Sequence, residues 1–119
     1  MARRGDDFRR GYVPEMGDVV HLNWDPAIGH EMKGLHYSLV VSATLYNQGT
    51  GLAVVCPITS KHGKISAFEL PIRAGRVDGV AVLSNLRSLD YRSRSLQFEA
   101  RVEAATVAEA NRRIRLIFP

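Results

Sequence analysis

The stretch Leu52–Ile58 constrains the fold more than any other part of this chain, because it is apolar on both faces and carries no charge. It is far too short to cross a bilayer as a helix, which takes about 20 apolar residues. A short run of this kind is typical of a buried strand, so we predict a central strand here. The polar segment Asn47–Gly51 predicts a turn before it, and Thr59–Lys64 predicts a loop after it. Cys56, inside the run, is predicted to be a buried thiol that packs as a small hydrophobe.

Five other segments have strand-like patterns. In Gly17–Trp24 the apolar side chains alternate and His21 falls on the opposite, exposed face, which predicts a half-buried strand. In Ala67–Ile72 alternate residues share one apolar face, and Pro71 favours an edge position. The remaining segments are Tyr37–Leu45, Val77–Leu89, which is long enough for one or two strands, and Ser95–Val102.

Only the end of the chain has a helical pattern. Thr106 and Glu109 have the spacing of a capping box, in which each side chain satisfies a backbone amide of the other residue. Apolar residues then recur at helical spacing, at Val107, Ala110, Ile114 and Ile117. Three arginines, at positions 112, 113 and 115, lie mostly off this stripe and are predicted to be solvated. Short strands with one terminal helix predict a small β-barrel or a strongly curved sheet.

Length and charge limit the possible functions. The 119 residues predict one domain over 12–119, preceded by a flexible basic arm over 1–11 that contains four arginines. The net charge is +4, and thirteen of the sixteen basic residues are arginine, which favours a polyanion or an acidic protein as partner. With one cysteine, no membrane-spanning segment and no secretory signal in the sequence, we expect a cytoplasmic protein without a membrane partner.

The most reactive set of side chains lies in Gly29–Ser38, between two predicted strands. This stretch contains four ionisable residues, His30, Glu31, Lys33 and His36, with glycines that permit tight bends. A polar loop carried between two strands of a rigid scaffold is the usual setting of a functional site. The residue pattern alone therefore predicts a basic, β-rich domain with one functional loop, and it does not indicate which chemistry the loop performs.

The order of short motifs along the chain extends that prediction. These motifs are Tyr12–Asp18, Asp25-Pro26, Gly29–Glu31, Leu39–Ser42, Tyr46-Asn47 with Thr50-Gly51, Pro57–Ser60, Asp78–Val80 and Arg87–Arg94. In this order and spacing, from Tyr12 to the C terminus, the chain resembles the MazF/PemK/Kid family of toxin endoribonucleases.

The resemblance implies a fold and an activity. The fold is an SH3-like β-barrel of short, mostly antiparallel strands with a C-terminal α-helix, assembled as a homodimer. The activity is cleavage of single-stranded, usually messenger, RNA at short sequence motifs, without a metal or other cofactor. The ribose 2′-hydroxyl attacks the adjacent phosphate and leaves a 2′,3′-cyclic phosphate and a 5′-hydroxyl. A cognate antitoxin with an acidic segment is the implied inhibitor.

The resemblance also suggests roles for particular residues. It implies that Glu31, His36 and Thr59 are catalytic, although position 36 is usually arginine in the family and the next position, here Tyr37, is usually proline. The residues implied to contact RNA are His30, Ser60, Lys61, Phe68, Ser84, Asn85 and Arg87. Among these, Phe68 falls where the family has an aromatic residue that seats a base. Ser84 and Asn85 stand where the family often has Asp-Gln.

The chemistry of RNA cleavage fits these residue types. The reaction needs a base for the 2′-hydroxyl proton, a group that stabilises the phosphate, and an acid for the leaving 5′-oxygen. Histidine titrates near neutral pH, so His36 can exchange protons where an arginine cannot. We expect His36 and Glu31 to share proton transfer and Thr59 and Ser60 to hydrogen-bond the phosphate, with Lys61 adding charge. His62 is an alternative to His36.

Two other readings stay open. The first is an RNA- or protein-binding barrel that has lost catalysis, because histidine replaces the family arginine at position 36. The second is a non-enzymatic poison of DNA gyrase like CcdB, although the chain ends in Leu-Ile-Phe-Pro where such toxins have Trp-Gly-Ile. The sequence has no group of cysteines, histidines and carboxylates at metal-ligand spacing, so we predict no metal site. It also lacks a phosphate-cradling glycine loop, which argues against nucleotide hydrolysis.

Overall fold

Short antiparallel strands dominate the fold. A computed structural model describes residues 11–24, 35–60 and 66–119 of the chain. The strands are β1 (Asp18–Asn23), β2 (Leu35–Val40), β3 (Leu52–Thr59), β4 (Glu69–Ala74), β5 (Val77–Val82), β6 (Arg87–Asp90) and β7 (Gln97–Arg101). The helices are α1 (Thr44–Thr50) and α2 (Ala104–Ile114), with short 3-10 helices at Leu83–Asn85 and Arg115–Ile117. This curled sheet with a C-terminal helix confirms the predicted fold class.

Strand β3 is the centre of the sheet, as its sequence predicts. The strands follow the order β4-β5-β3-β2-β1-β7, and β6 also pairs with β3. Residues 52–55 of β3 pair with β6, whereas Ile58 and Thr59 pair with β5. Pro57 lies between these two groups. A proline lacks an N–H, so a point where the strand changes partner accommodates it well. Pro71 lies in β4, an edge strand, which confirms the predicted edge position.

Both faces of the central strands are buried. Side chains alternate along a strand, so Val19 and Leu39 enter one hydrophobic core together with β4, β5 and Ala110 of α2. Val20 and Val40 enter a second core that is covered by β6 and by Tyr12 and other neighbouring residues. The predicted half-buried first strand is confirmed for its later residues, because Val20 and Leu22 are buried whereas His21 and Asn23 are partly exposed. Val19, on the face of His21, is the exception and is covered by the first core.

The predicted turn at Asn47–Gly51 is also wrong, because most of it belongs to helix α1. Asn47 is fully buried, and its side-chain amide donates to the carbonyl oxygen of Pro14 at 2.7 Å. The hydroxyl of Ser42 donates to the Asn47 side-chain oxygen, and the Tyr91 hydroxyl donates to the Asn47 carbonyl oxygen. These distant partners stabilise a helix of only seven residues, which ends at Gly51 in the left-handed conformation. The predicted strand Tyr37–Leu45 is accordingly shortened and ends at Val40.

Helix α2 starts earlier than predicted and lacks the predicted capping box. Its N-cap is Glu103, which makes no side-chain capping bond, so Thr106 lies inside the helix. Glu109 instead accepts hydrogen bonds from Arg112 and Arg113, which lower its pKa to about 2. Arg113 is half-buried and donates to the Glu69 carbonyl oxygen, so it is not a solvated side chain as predicted.

The predicted apolar stripe of this helix is confirmed for three of its four members. Val107, Ala110 and Ile114 pack into the first core. Ile117 lies in the following 3-10 helix and is 38% exposed, so its predicted place in the stripe is wrong. Residues 1–10 of the predicted arm lie outside the described residues. Within the described ranges, no helix is long and apolar enough to cross a membrane.

The environment of Cys56 predicts an inert thiol. Burial of this fully enclosed side chain raises its pKa to about 12. At pH 8 only about one thiol in 10⁴ would then be ionised, so we expect Ellman's reagent to label the native protein no more than marginally over hours. Addition of denaturant should give one equivalent of labelling within minutes. Rapid stoichiometric labelling in native buffer would contradict this burial.

Candidate active-site cleft

A cleft of about 440 Å³ opens where β1, β2 and β3 meet the β4–β5 hairpin. Its volume is within the range of small-ligand sites. The residues that line it are His21, His36, Tyr37, Ile58, Thr59, Ser60, Arg76, Val77 and Asp78. Three of the residues implicated by sequence, His36, Thr59 and Ser60, therefore share one cavity.

The pairing of β2 with β3 explains why His36 and Thr59 line the same cleft. The paired residues end at Ser38 and Pro57, which lie opposite each other. His36 lies two residues beyond Ser38 along β2, and Thr59 lies two residues beyond Pro57 along β3. Residues two apart on a strand share a face, so both side chains belong to the face that lines the cleft. Both side chains are half-buried, and Ser60, the next residue of the chain, is exposed.

Two aromatic rings that the sequence did not single out form another part of the cleft. His21 lies opposite Tyr37 across β1 and β2, and their ring centroids are 4.9 Å apart with planes tilted by 51°. The alternation of β1 correctly places His21 away from Val20 and Leu22. His21 is partly exposed, as predicted, but alternation alone cannot show that this face lines a cleft.

The β4–β5 hairpin adds one cation and one carboxylate to the cleft. Arg76 follows Gly75, whose φ of +58° is in the left-handed region that favours glycine. The Nε atom of Arg76 donates to Oε2 of Glu99 on β7 at 3.2 Å. Asp78 accepts a hydrogen bond at 3.1 Å from Arg73 on the other strand of the hairpin. The sequence did not single out Arg76, because its partner, Glu99, lies 23 residues further along the chain.

A close backbone contact fixes the position of Thr59. Thr59 is paired with Val80 on β5, directly after Gly79. A Cβ atom added at Gly79 would lie 2.6 Å from the Thr59 carbonyl oxygen and 3.0 Å from Cγ2 of Ile58. The strands can therefore approach this closely only when position 79 is glycine.

Four other residues proposed to contact RNA, Phe68, Ser84, Asn85 and Arg87, are not among the described residues that line the cleft. Phe68 is half-buried, and its carbonyl oxygen accepts a hydrogen bond from the Leu83 amide at 2.7 Å. Ser84 and Asn85 follow in the 3-10 helix and are exposed, so these residues form a second group beside β5. Arg87, at the start of β6, donates to the Trp24 carbonyl oxygen at the end of β1. Four remaining residues, His30, Glu31, Lys61 and His62, lie outside the described parts of the chain.

The cleft combines the groups that phosphodiester chemistry uses. Imidazoles transfer protons near neutral pH, hydroxyls donate hydrogen bonds, and a guanidinium keeps its charge throughout the cellular pH range. Among the residues that the structure describes, no three histidine, cysteine or acidic side chains are grouped in a way that could hold a metal ion.

Comparison with known proteins identifies the family. The sequence profile described as PemK-like, MazF-like toxin of type II toxin-antitoxin system matches residues 15–118. A similar sequence is the endoribonuclease toxin MazF of Escherichia coli, 35% identical over 83 residues that cover 70% of this chain and 74% of that protein. The chain belongs to the family of PemK-like, MazF-like toxins.

Solved structures agree with this assignment. MazF of Deinococcus radiodurans is 39% identical, with a TM-score of 0.82 over 89% of this chain and 96% of that one. A MazE–MazF complex from the same organism superposes with a TM-score of 0.74 at 36% identity, over 89% of this chain and 95% of that one.

The contact between Gly79 and Thr59 can be tested by a pair of glycine substitutions. Gly79→Ala forces the added methyl group against backbone atoms of β3, so we expect the free energy of unfolding to fall by about 1–3 kcal/mol. Gly49→Ala is the matched control, because a Cβ at Gly49 meets no atom within 4 Å. Alanine is also the better helix former, by up to about 1 kcal/mol. Urea denaturation of both variants provides the measurement, and equal stability of Gly79→Ala and the wild type would contradict the close approach.

Proposed function

We propose that this chain is the toxin of a type II toxin-antitoxin system and acts as a metal-independent endoribonuclease on single-stranded RNA. The single observation that carries the proposal is the shared cleft of His36, Thr59 and Ser60. Proteins named endoribonuclease among its relatives, MazF at 35% identity and PemK at 28% identity, support the same activity.

In the proposed reaction the ribose 2′-oxygen attacks the adjacent phosphorus. His36, assisted by Glu31, takes the 2′-hydroxyl proton, and the Thr59 and Ser60 hydroxyls donate hydrogen bonds to the phosphate oxygens. The bond between phosphorus and the 5′-oxygen breaks, and the proton that His36 and Glu31 took up is passed to that oxygen as it leaves. The products are a 2′,3′-cyclic phosphate and a free 5′-hydroxyl. No water is consumed in this step, since the nucleophile belongs to the substrate.

The group beside β5 suits recognition of bases on either side of the cut. Phe68 offers an aromatic surface on which a base can stack, and the exposed side chains of Ser84 and Asn85 can donate and accept hydrogen bonds. Arg87, together with His30 and Lys61, adds positive charge for the backbone. We therefore propose that the cleft cuts the RNA and that the neighbouring surface recognises its base sequence.

The proposed partners follow from the family. MazF of Deinococcus radiodurans has been solved together with MazE. We propose that a cognate antitoxin inhibits this chain by laying an acidic segment over the RNA-binding surface, since the toxin carries a net charge of +4. We also propose a homodimer as the assembled form.

Incubation of the purified protein with a long single-stranded RNA tests the activity. We expect fragments that carry 5′-hydroxyl ends, which polynucleotide kinase labels without prior phosphatase treatment, and 2′,3′-cyclic phosphate ends. Cleavage should be unchanged by EDTA. Cleavage that EDTA abolishes and Mg²⁺ restores would contradict the metal-free mechanism. RNA binding without cleavage would instead support the barrel that has lost catalysis.

Substitution of His36 tests its role in proton transfer. His36→Ala should lower the single-turnover cleavage rate about 10²–10⁴-fold, because it removes a general acid or base. The wild-type rate should depend on pH, because proton transfer requires one protonation state of the imidazole, and the variant should lose that dependence. His62→Ala is the matched control and should retain the wild-type rate. A loss below tenfold in His36→Ala with an unchanged pH profile would exclude His36 from proton transfer. A large loss in His62→Ala would assign proton transfer to His62.

Substitution of Thr59 separates its hydroxyl from its backbone position. Thr59→Ala should slow cleavage at least tenfold, because one hydrogen bond to the phosphate is lost. Thr59→Ser keeps a hydroxyl and should retain most of the activity. Thr50→Ala, in an exposed position of α1, is the control and should leave the rate unchanged. Equal rates for Thr59→Ala and Thr50→Ala would remove Thr59 from the mechanism.

A further inference from the structure

We infer that Arg76 supplies the guanidinium that binds the scissile phosphate, and that Glu99 is a positioning residue that orients it. This inference rests on the proposed ribonuclease function. At position 36 the resemblance implies an arginine, which is permanently charged, but this chain has a histidine, which exchanges protons instead. A crowded, doubly charged phosphate still requires a cation close by.

The cleft contains a suitable cation on a different element. Arg76 is the one arginine or lysine among the described residues that line the cavity, which it shares with His36 and Thr59. Its side chain is 78% exposed, so the guanidinium is accessible to a ligand as large as RNA. A guanidinium also matches the oxygens of a phosphate in a bidentate geometry that a lysine ammonium cannot make.

The contact with Glu99 gives this exposed arginine a defined orientation. Glu99 is only 17% exposed, and its Oε2 accepts the hydrogen bond from Nε of Arg76 at 3.2 Å. An arginine held through Nε can still present Nη1 and Nη2 to a phosphate. Fixing a flexible side chain before the substrate arrives reduces the entropy lost on binding.

The turn of the β4–β5 hairpin lies close to β7, which keeps Arg76 next to Glu99. A Cβ at Gly75 would lie 2.9 Å from Cβ of Ala100 and 3.1 Å from Oε2 of Glu99. The turn therefore lies directly against β7, and the close approach requires glycine there. The nearby carboxylate of Asp78 would repel a phosphate, but it is paired with Arg73 at 3.1 Å. Arg73 thus offsets the charge of Asp78, and Arg76 is the arginine that lines the cleft among the described residues.

The test compares Arg76→Ala with Arg115→Ala, which removes the same charge from an exposed position in the C-terminal 3-10 helix. Cleavage of a single-stranded RNA should lose kcat/KM on the order of 10²-fold in Arg76→Ala and remain at the wild-type value in Arg115→Ala. Binding of the all-deoxy analogue of that RNA, measured against salt concentration, should have a log–log slope smaller by about 0.7 for Arg76→Ala only.

Two further variants test the orientation. Arg76→Lys keeps the charge and should restore the salt slope but only part of kcat/KM. Glu99→Gln should lower kcat/KM less than Arg76→Ala, and combining Glu99→Gln with Arg76→Ala should cause no additional loss, because a positioning residue acts only through its partner. Additive losses in the double variant would overturn the role assigned to Glu99.

The outcomes distinguish this inference from the proposed function. If the wild type does not cleave RNA, the proposed function fails and this inference fails with it. If the wild type cleaves and Arg76→Ala matches Arg115→Ala in both rate and salt slope, only the inference is overturned. Circular dichroism and thermal unfolding check each variant. If Arg76→Ala does not fold, Arg76→Gln, which keeps the length of the side chain and removes its charge, gives the same comparison.

Discussion

The structure depends on a strand that is buried on both faces. Strand β3 pairs with β2 along one edge, while its other edge is divided between β6 and β5. Its alternate residues enter two separate cores, with Cys56 in one and Val55 in the other. A strand in this position cannot move without disturbing both cores. Its last residue, Thr59, and the following residue, Ser60, are consequently held at the point where the cleft opens.

The position of the Thr59 hydroxyl follows from backbone constraints. Pro57 lies where β3 leaves β6, and the close contact between Gly79 and the Thr59 carbonyl brings β5 against the end of the strand. Neither residue has a reactive side chain, yet both determine where Thr59 lies. Residues that permit a close approach can therefore matter to a site as much as the groups that perform its chemistry.

What could be predicted from sequence depended on whether the signal was local. The apolar run predicted β3, Pro71 predicted an edge strand, and the ordered motifs indicated His36, Thr59 and Ser60, which the structure brings into one cleft. Helix α1 was missed because Asn47 is held by Pro14, Ser42 and Tyr91. His21 was missed because its ring neighbour, Tyr37, lies on the next strand, and Arg76 was missed because its partner, Glu99, lies far along the chain on β7.

In the mechanism that we propose, two tasks belong to different residues, proton transfer to His36 and charge stabilisation to Arg76. An arginine at position 36 would contribute charge but could not readily accept a proton. In this chain the imidazole lies on β2, while the guanidinium is on the β4–β5 hairpin and is held from β7 by Glu99. Charge stabilisation and proton transfer then depend on different elements, so each can be altered by substitution without removing the other. The position of the positive charge then depends on one ion pair, in which the largely buried carboxylate of Glu99 orients the exposed guanidinium of Arg76.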